Sequence, residues 1–388
     1  MSITQSNQQP NWNSWHSSPV KDVLSSCPPL AQINDILRLR QQLKLLYGGE
    51  YQLIQAGDCA ESFEEMTFSQ TIRKAKSIVN LSNYLEKKTG IPTITVGRIG
   101  GQFAKPRSSF TEVINGKTIP SFRGEAVNYI EADAELRLPD PKLMIKGYDA
   151  ASVVFDALGW SKQGQSSKII QIPVWTSHEA LLLDYEVPQI RLDKYNRYYL
   201  SSTHWPWIGE RTRHPSGPHI SLLSKVINPI GCKIGPDTNA DEILELCDIL
   251  DPDYEAGRLT LITRMGPNLE KVLPNLIKAV KMSGHPIIWI CDPMHGNTSK
   301  TPDGTKVRFL ENIKKEAELF VRILRSNGIY TGGLHLETTP NYVSECISID
   351  DDIKKVSNNY TTTCDPRLTV DQAKAIVEVW AEALTQYN

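Results

Sequence analysis

Residues 228–264 read NPIGCKIGPDTNADEILELCDILDPDYEAGRLTLITR and hold two short apolar runs separated by an amphipathic stretch. The runs at 230–234 and 259–264 predict buried strands, and residues 240–250 between them have the apolar spacing of a helix. Strands that alternate with helices are typical of a parallel sheet with right-handed crossovers. This stretch therefore predicts an α/β fold.

The same alternation extends in both directions along the chain. Downstream we predict helices at 268–282, 309–326 and 369–385, with strands at 286–292 and 333–337. Upstream we predict strands at 51–56, 92–98 and 168–175, a fourth within 197–207, and helices at 34–47, 68–88, 150–158 and 177–185. Residues 99–165 otherwise read as an elaborate loop with a turn at Asn115-Gly116. Eight strands favour a closed TIM (β/α)8 barrel with an N-terminal extension and loop insertions over an open sheet.

Length and composition set the broad class. We expect an N-terminal arm and helix in residues 1–48 and a catalytic barrel in residues 49–388. The 42 Lys+Arg and 44 Asp+Glu give a net charge of −2, which argues against nucleic acid or a membrane surface as partner. The polar N-terminus has no signal or transit pattern, and no apolar run approaches the roughly 18 residues of a membrane span. Seven scattered cysteines without C-x-x-C fit a reducing cytoplasm.

Most predicted strands end in groups suited to phosphate or metal chemistry. These ends are Gly57-Asp58-Cys59, Arg98, Glu210-Arg211, Lys233, Arg264, Asp292-Pro293-Met294-His295 and Glu337, and Lys105-Pro106-Arg107-Ser108 adds two more cations. The carboxyl ends of barrel strands meet at one mouth, where barrel enzymes carry their active sites. Cations gathered there repel one another unless an anion neutralises them. The pattern predicts a phosphate or carboxylate site, with cations paired to helix carboxylates as the alternative.

Four potential metal ligands lie far apart in the sequence, namely Cys59, His295, Glu337 and Asp365. A thiolate, an imidazole and two carboxylates suit manganese, iron, cobalt or zinc better than magnesium or calcium. Two alternatives stay open, an inert buried Cys59 and a Glu337 held in a buried salt bridge. Because side chains two apart on a strand share a face, His335 and Glu337 should face the barrel mouth, and Leu334 and Leu336 the helices.

Aromatic and histidine side chains near the predicted fourth strand have less definite roles. Trp205-Pro206-Trp207 either walls a substrate pocket or packs in the core. His204 and His214 are expected to be hydrogen-bonded structural residues rather than ligands.

These segments together resemble class II 3-deoxy-D-arabino-heptulosonate 7-phosphate (DAHP) synthases, the entry enzymes of the shikimate pathway. The matching segments are GDCAESF (57–63), RIGGQFAKPRS (98–108), WIGERTR (207–213), NPIGCKIGP (228–236), LITRMG (261–266), CDPMHGNT (291–298), GGLHLE (332–337) and CDPRLT (364–369). Each is short, but eight segments in family order make the resemblance specific.

The resemblance implies a function and a role for each site residue. The family condenses phosphoenolpyruvate with D-erythrose 4-phosphate and releases phosphate. The implied metal ligands are Cys59, His295, Glu337 and Asp365, with manganese favoured and cobalt, iron or zinc as alternatives. Arg98 and Lys105 would hold the phosphoenolpyruvate carboxylate. Arg211, Lys233, Arg264 and the backbone N–H of Glu210 would hold its phosphate, and Arg107 and Ser108 the aldose phosphate. Lys233 is also a candidate proton donor, so Lys233, Cys59 and His295 form the expected catalytic set.

The chain departs from the family in a region tied to regulation. Larger members carry a helical insertion that helps to build aromatic amino-acid sites, and here only residues 160–167 occupy that place. We therefore expect little feedback inhibition, a likeness to members from natural-product (phenazine-type) pathways, and a homodimer or homotetramer. Alternatives are a 3-deoxy-octulosonate 8-phosphate synthase, a non-catalytic phosphosugar-binding barrel, and a metal-dependent aldolase or hydrolase.

Overall fold

The computed structural model describes residues 8–114, 116–161, 172–351 and 353–387. Its centre is a closed barrel of eight strands, each parallel to its neighbours. In chain order the strands are β1 (Gln52–Gly57), β2 (Thr93–Arg98), β3 (Trp175–Glu179), β4 (Trp205–Ile208), β5 (Ile230–Ile234), β6 (Leu259–Thr263), β7 (Ile288–Cys291) and β8 (Gly333–Glu337). Because β1 pairs with both β2 and β8, the sheet closes on itself. The predicted TIM barrel is confirmed.

Helices cover the outside of the barrel. Those described are α1 (Ser14–Ser26), α2 (Ile33–Tyr47), α3 (Phe68–Thr89), α4 (Leu143–Ala157), α5 (Leu183–Glu186), α6 (Pro218–Leu223), α7 (Ala240–Leu250), α8 (Leu269–Ser283), α9 (Leu310–Ser326) and α10 (Val370–Gln386). A capping box at Thr369 and Gln372 starts α10. Among the described residues, no helix combines the length and the apolar character needed to cross a lipid bilayer.

Two separate apolar layers hold the barrel together. Leu334 and Leu336 pack outward in the large cluster that the strands share with the surrounding helices, as predicted from their alternation. A second cluster fills the barrel interior and includes Trp205 and Trp207. Leu43, in the middle of α2, belongs to this inner cluster with its neighbours one turn away. Helix α2 therefore packs against the interior residues and supports the core from below the mouth.

The third strand is the main correction to the predicted elements. The prediction put it at 168–175, of which residues 168–171 lie outside the described part, and put a helix at 177–185. Instead, β3 runs from Trp175 to Glu179. Its sequence WTSHE has no apolar run, because polar side chains on both faces of the strand find hydrogen-bond partners. On the inner face, Ser177 Oγ accepts a bond from Gln55 Nε2 over 3.0 Å. On the outer face, His178 Nε2 lies 2.8 Å from Oε1 of Glu186 on α5.

Further structure surrounds the barrel. An antiparallel hairpin joins Thr111–Ile114 to Lys117–Pro120, and Asn115 of its predicted turn lies outside the described residues. A smaller three-stranded sheet combines Thr298–Lys300, Lys306–Phe309 and Cys346–Ile347. Both histidines near β4 have structural contacts: His204 is buried 2.8 Å from Thr176 Oγ1, where burial lowers its pKa to about 3, and His214 bonds Ser216 over 3.0 Å.

Candidate active site

The carboxyl ends of the strands enclose a cavity of about 150 Å³. The lining residues are Lys105, Pro106, Glu179, Gly209, Glu210, Arg211, Lys233, Arg264, His295 and Asp365. They come from the loops after β2, β4, β6 and β7, from β3 and β5, and from the loop before α10. The structure thus brings four of the predicted cations to one place at the barrel mouth.

Two of these cations have no carboxylate partner within the part of the chain that the structure describes. Neither Arg211 nor Arg264 has a carboxylate oxygen within 4.0 Å there, and Arg211 is exposed to solvent. Arg264 instead donates from Nη2 to the backbone oxygen of His295 over 3.2 Å. Guanidinium groups that share a cavity without a counter-ion favour an anionic ligand.

Glu337 forms the floor of the site at the end of β8, and its side chain is fully buried. Its Oε1 lies 2.9 Å from Arg98 Nη2 and 3.1 Å from His295 Nε2, and its Oε2 lies 2.6 Å from Arg308 Nη1. Burial alone would raise the pKa of Glu337. His295, Arg308 and Arg98 outweigh that effect and hold the pKa well below its usual value. An ionised carboxylate therefore sits at the base of the mouth.

The predicted metal ligands form one continuous cluster beside this floor. Cys59 Sγ lies 3.4 Å from Asp365 Oδ2. The ligand atoms of Cys59, Cys364 and Asp365 lie within 4.8 Å of one another, as do those of His295, Glu337 and Asp365. A sulfur, an imidazole nitrogen and carboxylate oxygens fit a first-row transition metal. Burial raises the pKa of the Cys59 thiol well above its usual value, and a divalent cation would offset the cost of forming the thiolate.

Asp292 orients two of the predicted catalytic groups. Its Oδ2 lies 2.7 Å from His295 Nδ1 and 2.9 Å from Lys233 Nζ, and its Oδ1 accepts the backbone N–H of His295 over 3.1 Å. Burial would raise the pKa of Asp292, but His295 and Lys233 hold it well below its usual value. The ionised carboxylate accepts Nδ1–H of His295, which leaves Nε2 directed at the ligand cluster.

Lys233 lies on β5 between the Asp292 carboxylate and the ring of Trp207. Burial lowers the pKa of its ammonium, and the nearby Arg98 lowers it further, although Asp292 opposes both. The Trp207 ring lies 5.8 Å from Lys233 Nζ and 5.2 Å from the Arg98 guanidinium. Of its two predicted alternatives, Trp207 fits core packing, because it belongs to the inner barrel cluster and lies beneath the site cations without lining the cavity.

Three predicted substrate-binding residues do not line the cavity. Arg98 lies beneath the cavity and donates hydrogen bonds to Glu337 Oε1 and to the backbone oxygen of Asp58. Arg107 pairs with Glu112 over 3.2 Å, and Ser108 is exposed. The last two residues lie on the outer rim of the mouth, where Arg107 Nη1 also reaches Cys364 Sγ over 3.6 Å.

Sequence reasoning missed four residues of the site. Cys364 and Arg308 lie on segments with no periodic signal, and Asp292 was placed at a strand end without a role. Glu179 lines the cavity with its Oε1 buried and without a hydrogen-bond partner among the described residues. It was missed because the third strand was placed too early in the chain. A predicted strand that ended at Glu179 would have placed this carboxylate at the barrel mouth with the other candidate residues.

A closed barrel with an anion-accepting cavity next to a transition-metal ligand set is typical of metal-assisted enzymes that act on anionic substrates. The chain belongs to the class-II DAHP synthetase family, whose model matches residues 2–171 and 154–380. The family assignment made from the short segments is confirmed.

Named relatives align with most of the chain. A probable phospho-2-dehydro-3-deoxyheptonate aldolase of Pseudomonas fluorescens is 45% identical over 377 residues, which take in 96% of this chain and 94% of the relative. The phospho-2-dehydro-3-deoxyheptonate aldolase of Streptomyces coelicolor is 34% identical over 407 positions, with 92% and 90% covered. The Neurospora crassa enzyme of the same name is 33% identical over 461 positions, with 97% and 95% covered.

Proposed function

We propose that this protein condenses phosphoenolpyruvate with D-erythrose 4-phosphate to give DAHP and inorganic phosphate, the first step of the shikimate pathway. One observation carries the proposal: Arg211 and Arg264, which have no carboxylate partner in the described chain, line a cavity that also contains His295 and Asp365 of the ligand cluster. The relatives' names, which describe the same product, support this reaction.

Residues in the cavity, beneath it and on its rim divide the two substrates between them. Arg211, Lys233, Arg264 and the backbone N–H of Glu210 hold the phosphate of phosphoenolpyruvate. Lys105, with Arg98 beneath it, holds the carboxylate. Arg107 and Ser108 on the outer rim take the phosphate of the aldose. These cations compensate charges that otherwise repel each other, and they place the two carbon atoms for bond formation.

The reaction joins two carbon skeletons and releases one phosphate. C3 of phosphoenolpyruvate attacks the aldehyde carbon, and the former aldehyde oxygen takes up a proton. Water adds at C2 and loses a proton, which leaves a hydroxyl group there. The C2–O bond to phosphate then breaks, the hydroxyl proton passes to the leaving phosphate, and C2 becomes a carbonyl. Lys233 is the proton donor to the former aldehyde oxygen, because its lowered pKa makes its ammonium a better acid. Asp292 stabilises the charged form until the transfer.

We propose that Cys59, His295, Glu337 and Asp365 hold one divalent transition metal, with manganese favoured. When bound, the metal supplies Lewis-acid polarisation of the aldehyde. Asp292 keeps the His295 ring in the tautomer that offers Nε2. Arg98 and Arg308 keep Glu337 ionised and fixed in direction.

Regulation by aromatic amino acids is expected to be weak. The family model matches in two pieces that overlap at residues 154–171, around the shortened segment. The alignments with the Streptomyces and Neurospora relatives span 407 and 461 positions, more than the 388 residues of this chain. Those relatives therefore carry residues that this chain lacks. The natural-product role is proposed from the shortness of residues 160–167 alone. Residues 162–167 of the segment lie outside the described part.

Phosphate release with both substrates and a panel of divalent ions tests the proposed reaction. We expect release only when phosphoenolpyruvate, erythrose 4-phosphate and a transition metal are all present. Faster turnover with arabinose 5-phosphate would assign the protein to the octulosonate reaction instead. Turnover without phosphoenolpyruvate would show a different aldolase or hydrolase.

Metal removal tests the ligand set. Cys59→Ala, or EDTA treatment of the wild type, should abolish phosphate release while circular dichroism shows a folded protein, since the metal acts in catalysis. The exposed-segment variant Ser109→Ala is the control and should keep wild-type activity. Full turnover of Cys59→Ala would rule out the thiol as a ligand.

Inhibition assays test the expectation about feedback. Phenylalanine, tyrosine and tryptophan at millimolar concentration should leave the rate of phosphate release nearly unchanged, because the insertion that builds their sites in larger members is missing. Strong inhibition by any one of them would contradict this.

A further inference from the structure

Glu316, on α9, reaches from the helix layer into the two loops that follow β6 and β7. Only 3% of the residue is exposed. Its Oε1 accepts the backbone N–H groups of Met265 and Gly266 over 3.0 and 2.9 Å. Its Oε2 accepts Nδ2–H of Asn297 over 2.6 Å. One buried carboxylate thus bonds to both loops at once.

Both loops carry residues of the candidate active site. Arg264 lies directly before Met265 and Gly266, and His295 lies two positions before Asn297. The loops also touch each other, because Arg264 Nη2 donates to the backbone oxygen of His295 over 3.2 Å. Asn297 is tied back into its own loop through Nδ2 and the backbone oxygen of Pro293, 2.9 Å away.

The two loops pack backbone against backbone at their glycines. A Cβ atom added to Gly296 would stand 2.4 Å from the backbone nitrogen of Gly266, and one added to Gly266 would stand 2.4 Å from the backbone oxygen of Gly296. No side chain fits between them. The acceptor that these backbone N–H groups need therefore comes from another element, and Glu316 supplies it.

We propose that Glu316 is a positioning residue that fixes Arg264, which grips phosphate, relative to His295, which binds the metal. This inference rests on the proposed function for the roles of those two residues. It deepens that function, because one carboxylate outside the cavity would set the position of the phosphate-binding Arg264 relative to the metal-binding His295. Removing it frees two buried N–H donors and one amide, and both loops lose their common anchor.

Two substitutions separate the two halves of this connection. Glu316→Ala removes both sets of bonds, so the affinity for Mn²⁺ should fall and the KM for phosphoenolpyruvate should rise, each by about tenfold or more. Glu316→Gln keeps an oxygen for Met265 and Gly266 but loses the acceptor for Asn297. Its Mn²⁺ affinity should fall by about tenfold, while its KM for phosphoenolpyruvate should stay within about threefold of the wild type.

Isothermal titration with Mn²⁺ alone, before any substrate is added, gives the metal affinity, and steady-state assays give both KM values. With Mn²⁺ kept at saturating concentration, the KM for erythrose 4-phosphate should be unchanged in both variants, because Arg107 and Ser108 do not contact Glu316 or the two loops that it joins. Glu318→Gln, the same chemical change on the same helix, is the control and should match the wild type throughout.

Wild-type values for both variants would overturn the proposal, as would a parallel change in all three constants with a lowered melting temperature. If Glu316→Ala does not fold, Glu316→Gln alone decides, because its Mn²⁺ affinity should fall while its KM for phosphoenolpyruvate should stay near that of the wild type. A wild type that binds Mn²⁺ but releases no phosphate would refute the proposed function, whereas the titrations would still test the placement of His295.

Discussion

At the scale of single residues, Glu337 shows why a buried carboxylate can exist at the barrel mouth. The sequence left two alternatives, a salt bridge or a metal ligand. The structure gives it two arginine partners, Arg98 and Arg308, and also places it within reach of His295 and Asp365. A buried charge costs several kcal/mol unless it is paired. The arginines therefore allow the charge to persist where the ligand cluster needs it.

Asp292 offers a direct test of ligand orientation. Asp292→Asn keeps the shape but removes the charge that holds His295 and Lys233. Because partners behind a metal ligand are typically worth about 10–100-fold in metal affinity or activity, we expect a loss of that size in Mn²⁺ affinity and in kcat. Isothermal titration and phosphate-release assays measure both.

The matched control is Asp371→Asn, since the Asp371 side chain at the start of α10 is 97% exposed. It should behave as the wild type. If Asp292→Asn also kept its metal affinity and kcat, Asp292 would have no orienting role.

Residues at strand ends could be identified from the sequence, whereas their partners could not. Lys233 and Glu337 follow apolar runs, so their position at the mouth follows from the barrel rule. Arg308 belongs to the small sheet beside the barrel and reaches Glu337 only through the tertiary fold. Neither hydrophobic periodicity nor spacing marks such a residue.

At the scale of elements, six strands with apolar sequences were placed to within two residues. The fourth was only confined to residues 197–207, whereas β4 runs from Trp205 to Ile208, and the polar third strand was misplaced. The predicted 230–234 strand matches β5. The sequence of β3 is polar because side chains on both of its faces form hydrogen bonds. Ser177 bonds inward to Gln55 of β1, and His178 bonds outward to Glu186 of α5. A strand with polar side chains on both faces has no hydrophobic signal, and only its tertiary partners reveal it.

Helix α2 makes a testable contribution to stability. Leu43 is fully buried in the inner barrel cluster, whereas Leu45 on the same helix is 38% exposed. Leu43→Ala removes packed atoms from the barrel core and should lower the free energy of unfolding by about 2–5 kcal/mol. Urea denaturation followed by tryptophan fluorescence measures this.

Leu45→Ala is the control, with an expected change within about 0.5 kcal/mol. Equal losses in the two variants would mean that α2 does not support the barrel core through its buried face.

At the scale of the whole molecule, the N-terminal arm reaches the active-site rim. Gln8 Oε1 accepts the backbone N–H of Arg107 over 2.8 Å. Gln9 donates to the backbone oxygen of Leu181 over 2.8 Å and accepts from the backbone N–H of Leu183 over 3.0 Å. The arm therefore joins the loop after β2 to the loop after β3. The division at residue 48 and the oligomeric state stay predictions, and sedimentation would test the latter.

The arm should affect one substrate more than the other. Gln8→Ala removes the bond to Arg107, which is worth about 1 kcal/mol, so the KM for erythrose 4-phosphate should rise by roughly fivefold. The KM for phosphoenolpyruvate should not change. Gln41→Ala, an exposed position on α2, is the control. If the two KM values changed equally, or if neither changed, the arm would have no specific effect on the binding of erythrose 4-phosphate.

Closure of the barrel between β1 and β8 has a consequence for biosynthesis. Leu53 pairs with Gly333, and Cys59 meets Asp365, so both the seam and the ligand cluster join early and late parts of the chain. During translation, the strand edges of β1 and β7 that pair with β8 stay without their backbone hydrogen-bond partners until β8 leaves the ribosome. Nascent chains of this kind fold slowly and are prone to aggregate. We therefore expect the yield of active protein in cells to depend on chaperone supply and on translation speed.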